Sequence, residues 1–325
     1  MATAPTVDAV VRAAGPHVAP LMSRIEERLA AAAGGHGALL AQHAGATIAA
    51  GGKRLRPLLV LVAAGPHASG DGLVRAAAAV ELVHSATLVH DDVLDGADLR
   101  RGRPTVVAAA GRDIATATGD LLFSRAFAEL ARNGRADEVR VLSAASSALA
   151  AGELLQRADA WNARMPVERY LERCGLKTAR LFEAACELGA LEGGASAGRV
   201  EALGAFGRRV GLAFQLLDDV LDVSGPVERT GKPRGADLLD GTVTLPLILA
   251  RERDPELAAL DPRAVRTPAQ AEAVCVRIQA TGTLDEARRR ALGIVAEAKA
   301  SLPDLRGPQR EALELVADGV VDRYS

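Results

Sequence analysis

Apolar residues recur every three or four positions in nearly every stretch between glycine and proline punctuation, and no run of strict alternation is sustained. That period predicts helices over roughly residues 6–33, 38–50, 54–65, 72–97, 112–132, 136–161, 167–191, 197–224, 242–252, 267–281, 284–302 and 307–322. Breaks fall at Gly51-Gly52, Gly65-Pro66, Gly102 to Thr105, Gly193-Gly194 and Gly225-Pro226, as turn chemistry requires. The predicted class is all-α: one domain over residues 1–325, a bundle of roughly ten to thirteen helices, with no linker or internal repeat to divide it. The longest break, GPVERTGKPRGAD at 225–237, is polar and follows directly on an acidic helix end, which makes it a candidate active-site loop.

Composition sharpens this picture. Only 2% of the 325 residues are aromatic while alanine and leucine abound, which favours helix over strand. With 49% hydrophobic residues, 25% charged and a net charge of −2, neither disorder nor a global attraction to nucleic acid is expected. Any polyanion must be held by local charge. Cys174, Cys186 and Cys275 are odd in number and lack a CxxC pattern, so they read as reduced thiols rather than a zinc site. The N-terminus has no signal-like pattern and no window offers about 18 consecutive apolar residues, so a soluble, cytoplasmic protein without a transmembrane segment is expected.

The pentapeptide DDVLD occurs at 91–95 and again, letter for letter, at 218–222. Positions i and i+4 share a helix face, so Asp91 stacks with Asp95 and Asp218 with Asp222, flanked by Asp92 and Asp219. The residues before them, VELVHSATLVH and VGLAFQLL, are mostly apolar and should pack inward. One such cluster alone reads equally as a solvated helix face. Two identical copies inside apolar helices argue for a shared cation, because crowded carboxylates otherwise raise one another's pKa. Oxygen ligands without histidine or thiolate suit Mg²⁺, which completes its octahedron with water and substrate phosphate.

Separate basic groups could hold such a phosphate: Lys53 and Arg56 in GGKRLRP, Arg100-Arg101, Lys177-Thr178 and Lys232 in TGKP. Singly, each reads as a surface cation. In their order, together with HSATLVHDDVLDGADLRRG (84–102), GDLLFSRAF (119–127), GELLQ (152–156), KTARLFEAACELGA (177–190), GLAFQLLDDVLD (211–222), GKP (231–233) and TLPLI (244–248), the chain resembles the trans-isoprenyl diphosphate synthases, or polyprenyl synthetases.

The resemblance runs from about residue 40 to the C-terminus and leaves the first 35 or so residues unassigned. It implies the isoprenoid synthase fold, with helices around a central apolar cavity, and a prenyltransferase that adds isopentenyl diphosphate to an allylic diphosphate (dimethylallyl, geranyl, farnesyl or geranylgeranyl). Carried over, it assigns isopentenyl diphosphate to Lys53, Arg56, His84 and Arg101. The allylic diphosphate falls to Arg100, Lys177 and Lys232 and, through Mg²⁺, to Asp91, Asp92, Asp95 and Asp218, with Asp219 and Asp222 in support. Three Mg²⁺ ions are implied with bound diphosphate, Thr178 and Gln215 sit near the reacting groups, and a homodimer is expected. His90 reads as a packing group rather than a base.

One helical turn is about 5.4 Å, comparable to one isoprene unit, so residues below Asp91 bear on product length. Ala86 and Thr87 are small where relatives with short products often carry aromatic residues, Val83 does not block the next turn, and Phe123 could form a deeper floor. A product longer than twenty carbons is expected, with geranylgeranyl diphosphate as the alternative. Thr242 stands where many relatives carry a diphosphate-binding lysine. A terpene cyclase and a silent partner subunit are the rival readings; retention of both acidic motifs and of the isopentenyl diphosphate cluster argues against them.

Overall fold

In the computed structural model, which describes residues 7–35, 37–100, 102–225, 234–305 and 307–322, helix follows helix as the apolar period predicts. The first half comprises α1 (Val7–Ala14), α2 (Val18–Ala33), α3 (Ala38–Ala49), α4 (Leu55–Ala64), α5 (Asp71–Asp95), α6 (Val106–Ala110), α7 (Arg112–Ala131) and α8 (Ala136–Ala158). The second comprises α9 (Val167–Cys174), α10 (Arg180–Glu192), α11 (Ala197–Ser224), α12 (Ala236–Leu239), α13 (Leu245–Arg251), α14 (Pro255–Ala259), α15 (Pro268–Ala280), α16 (Thr283–Ala300) and α17 (Gly307–Asp322). The all-α reading holds, with one small exception among the described residues: Leu99–Arg100 pairs antiparallel with Arg103–Pro104.

Boundaries differ where local chemistry intervenes. The helix predicted over 6–33 is two, because Gly15 takes φ +115° and Pro16 has no amide hydrogen to continue the ladder. The stretch predicted at 167–191 runs through a π turn, Gly175–Ala179, between α9 and α10. Residues 226–233, the heart of the predicted loop, lie outside the described residues.

The centre of the bundle is α5. Leu73, Val74, Ala76 to Val80, Leu82, Val83 and Ala86 are all buried, so most of its length is apolar on every side. A helix of that kind must be enclosed. It is long and apolar enough to cross a membrane by length and composition, yet most of it is covered by protein, which is the signature of a core helix.

α5 lies along α7, and α10 packs between α4 and α11. Small residues permit the close approach: a Cβ on Gly189 would sit 2.2 Å from the Val60 carbonyl oxygen, and one on Gly207 2.5 Å from that of Phe182. A chain with few aromatics fills its interior by bringing helix axes together instead.

One carboxyl at the α10–α11 contact is misplaced for a charge. Burial first, then the neighbouring Glu183, pushes Glu187 up to about 7. The folded state thus favours its neutral form. The stability it contributes is complete below its ordinary value of 4.5 and is lost as pH rises through about 7. Glu187→Gln should therefore leave the thermal midpoint nearly unchanged at pH 5 and raise stability by about 1–2 kcal/mol at pH 8, measured by denaturation at both values.

Candidate active site

The two acidic pentapeptides end the two long helices that run through the core. α5 stops at Gly96, which takes φ +62° as a left-handed helix stop, leaving Asp91 to Asp95 in its last turn. The last turns of α11 carry Asp218 to Asp222. Both ends open into one cleft of about 290 Å³, where Asp91 and Asp95 face Asp218 and Asp219. His84, Thr87 and Leu88 continue the α5 stripe into it, Gln215 and Phe214 line the α11 side, and Arg56, Arg100, Lys177 and Thr178 complete the predicted set found there.

Lys177 and Thr178 sit on the π turn, where an extra residue in the helical turn re-aims side chains. Thr178 Oγ1 donates to Gln215 Oε1 at 2.6 Å, Gln215 Nε2 donates to Asp219 Oδ1 at 2.7 Å, and the buried Tyr170 hydroxyl donates to Asp219 Oδ2 at 2.7 Å. Burial, and then Asp237 beside it, holds the Asp219 carboxyl well above the usual range. Its hydrogen bonds fix it as a strut behind Asp218. Arg56 lies 4.6 Å over the Phe182 ring, which in turn meets Phe214.

Charge in the cleft is only partly balanced. Burial pushes Asp91 up to about 6, opposed by Lys177 and reinforced by Glu153 and Asp95. Arg157 Nη2 reaches Asp95 Oδ1 at 2.5 Å and its Nε reaches Glu153 Oε1 at 2.8 Å, while Lys177 pairs with the other Glu153 oxygen. Burial works against the Glu153 charge, but Lys177 and Arg157 more than offset it and its pKa is lowered. Glu153 and Arg157 were not singled out from sequence, although GELLQ was.

Other expected residues stand elsewhere. Asp92, one position round the helix from Asp91, is buried and held by Arg100 Nε at 2.8 Å and Nη2 at 2.7 Å, on the side facing a neighbouring cavity lined by Arg54, Glu81 and Thr105. Asp222 does not line the cleft; its backbone carbonyl accepts from Gly235 and its carboxylate lies near Cys275. Lys53 is exposed and outside the lining, and the adjacent Arg54 instead ties Glu26 and Glu81 together. Arg101 and Lys232 lie outside the described residues.

Of the expected chain-length residues, Thr87 alone lines the cleft, its hydroxyl bonded to the His84 carbonyl. Ala86 and Val83 are fully buried, on the stripe that also carries His90. His90 stacks on Phe123 with centroids 5.7 Å apart and fills the space a Cβ on Gly119 would need, so both belong to the α5–α7 packing.

Missed from sequence were Asp237 and Asp240, which enter the cleft beside Thr242. The available signal was the acidic pair in DLLD (237–240), whose first aspartate ends the predicted loop. The carboxylates offer only oxygen ligands, and burial pushes the nearby Cys174 thiol far up, so it offers no thiolate. Among the described residues no three such groups converge closely enough to hold an ion by themselves. The donor set fits Mg²⁺, which takes several of its six oxygens from water and substrate phosphates.

The family model described as polyprenyl synthetase matches residues 38–279. The chain belongs to the polyprenyl synthetase family. It is a prenyltransferase of the polyprenyl diphosphate synthase type with the isoprenoid synthase fold. It is 42% identical over 241 residues to the heptaprenyl diphosphate synthase component 2 of Geobacillus stearothermophilus, covering 74% of this chain and 75% of that one. It is 38% identical over 284 residues to the geranylgeranyl diphosphate synthase of Methanosarcina mazei, covering 84% and 86%. A Caulobacter crescentus CB15 polyprenyl synthase, crystallised with calcium and isoprenyl diphosphate, superposes with a TM-score of 0.90 at 38% identity over all of both chains.

In this polyprenyl synthetase, α8 approaches the π turn so closely that a Cβ on Gly152 would lie 2.5 Å from the Lys177 backbone nitrogen and 2.8 Å from its Cα. Backbone cannot rotate aside as a side chain can. Gly152→Ala should displace Lys177 and lower turnover roughly tenfold or more with helical circular dichroism retained. Gly198→Ala, where an added Cβ meets nothing within 4 Å, should leave turnover unchanged.

Proposed function

We propose that this protein condenses isopentenyl diphosphate head-to-tail with an allylic diphosphate, with Mg²⁺, to give a trans-polyprenyl diphosphate longer than twenty carbons. The observation that carries the reading is the juxtaposition of Asp91 and Asp95 with Asp218 in one cleft that also holds Arg100, Arg157 and Lys177. Asp91, Asp95 and Asp218 would hold Mg²⁺ together with water and diphosphate oxygens, and Asp237 and Asp240 line the same cleft. Bound there, the metal supplies Lewis-acid neutralisation of the charge that grows on a departing diphosphate.

The remaining work falls to the chain's own groups. Lys177, Arg100 and Arg157 orient the allylic diphosphate, and Lys232 is proposed to join them. Arg56 and His84, which line the same cleft, suit the second, non-leaving diphosphate, with Lys53 and Arg101 proposed alongside. Thr178 and Gln215 hold each other in place at the boundary between phosphate and carbon chain. Leu88 and Phe214 keep water from the allylic cation that forms when the carbon–oxygen bond breaks. The proton lost after carbon–carbon bond formation can pass to the released diphosphate, so no protein base is needed.

Product length follows from the small residues under Asp91. Heptaprenyl, octaprenyl and decaprenyl synthases among the relatives support a long product, and geranylgeranyl diphosphate is the alternative. Because the Geobacillus relative is called a component, a second subunit is an open requirement that assay of the purified chain decides. A homodimer and a cytoplasmic location are proposed with the function.

Purified protein given Mg²⁺, isopentenyl diphosphate and farnesyl diphosphate should release diphosphate and yield prenyl products longer than C20; chelation with EDTA should stop it. Asp91→Ala and Asp218→Ala should each cut turnover at least a hundredfold with the fold intact, on the scale seen when electrostatic transition-state stabilisation is removed. Near-normal turnover in either would sink the assignment. In Ala86→Phe the product should shorten, read by chromatography of dephosphorylated alcohols; unchanged length would mean that the chain grows elsewhere.

A further inference from the structure

The wall of the cleft that carries Asp237, Asp240, Thr242 and Thr244 is α12 and the non-helical stretch from Asp240 to Thr244 that joins it to α13. It is tied at two carbonyls. The Trp161 amide donates to Gly241 O at 2.8 Å, and the buried Arg173 donates through Nη2 to Val243 O at 2.8 Å. The Trp161 indole lies directly on Gly241, where a Cβ would come within 2.3 Å of the ring.

Trp161 has φ +64°, and among the described residues only Arg54 shares that left-handed region without being glycine. A bulky side chain there is strained and persists only where its surroundings over-determine it. They do so here. Asn162 donates its amide to Asp159 O, Met165 donates to Asn162 O, and Arg169 grips the Asp159 carboxylate at 3.0 Å. The chain's single tryptophan is thus held in a costly conformation whose contact is with the acidic wall, while Trp161 itself does not line the cleft.

We propose that Trp161 is a positioning residue: its amide and indole hold Gly241 so that Asp237, Asp240 and Thr242 stay aimed into the cleft, and this sets the affinity for the magnesium-bound allylic diphosphate. The inference rests on the reading of the cleft given above. Isopentenyl diphosphate, bound on the Arg56 and His84 side, is independent of this wall.

The test compares full-length wild type with Trp161→Ala, Trp161→Phe, Gly241→Ala and the Trp161→Ala/Gly241→Ala double variant. Calorimetric titration with farnesyl thiolodiphosphate and Mg²⁺ reads binding without turnover, and steady-state assays read KM for each substrate. Trp161→Ala and Gly241→Ala should each weaken allylic binding roughly tenfold or more, on the scale of a misplaced catalytic group, with KM for isopentenyl diphosphate unchanged. Trp161→Phe should keep most of the affinity. Gly241→Ala should cost less in the Trp161→Ala background than alone, because the clash with the ring is gone and only the strain of alanine at φ +78° remains. Should Trp161→Ala fail to fold, Trp161→Leu carries the same comparison. Wild-type affinity in the folded variants, equal loss for both substrates, or fully additive effects would overturn the proposal. A wild-type protein that binds no allylic analogue overturns the functional reading, and this inference with it.

Discussion

Like charges gathered at the wrong ends of helices are the constraint around which this molecule is organised. The C-terminus of a helix carries about half a negative charge from its aligned peptides, so carboxylates belong at the other end. Here the last turns of both α5 and α11 hold aspartates, and the two ends meet. Burial pushes Asp91 up to about 6, the mark of a charge the protein alone does not satisfy. Arg100, Arg157 and Lys177 relieve part of the repulsion by pairing with Asp92, Asp95 and Glu153. A hard cation with a diphosphate would relieve the rest, and stability forgone at the helix ends becomes affinity for that ligand.

Holding such ends together requires rigid supports close behind them. Gly152 lets α8 press on the π turn, Gly207 and Gly211 let α10 and α11 nearly touch, and the Thr178–Gln215–Asp219–Tyr170 chain ties α11 to the π turn and to α9. A core poor in aromatic residues is well suited to this, because small side chains bring backbones to where a few hydrogen bonds can span the gap. The low aromatic content and the compact site are one design.

How much of this could be read beforehand depended on whether a residue's role was set within its own helix. The period of 3.6 revealed the helices, and the i, i+4 relation correctly put Asp91 and Asp95 on one face. The same geometry turns Asp92 about 100° away, and it lies with Arg100 beside a different cavity. Asp222 shares a stripe with Asp218 but lies nearer the helix end, where the chain turns back and Gly235 caps its carbonyl. Glu153 and Asp237 lay in stretches the sequence marked, GELLQ and the loop at 225–237, but their roles, like those of Arg157 and Asp240, are set by the packing of one element on another. Trp161 fell at the end of the helix predicted over 136–161, whereas that helix stops at Ala158 and the role of the indole comes from its contact with Gly241.

The same distinction bears on product length. Small residues at Ala86 and Val83 suggest room, yet both are fully buried, with His90 of the same stripe against Phe123 and Gly119 of α7. A chain growing along this face of α5 would have to part α5 from α7, since Ala86 and Val83 are enclosed there. Each buried methylene contributes about 0.8 kcal/mol, so one five-carbon unit supplies roughly 3–4 kcal/mol towards that opening. Loosening the contact at Ala86, Gly119 and the His90–Phe123 stack alone forfeits fewer dispersion contacts than separating two aromatic layers. Smallness at these positions matters less as empty volume than as a seam the product can open, and growth should stop where the seam meets side chains that lock the helices together.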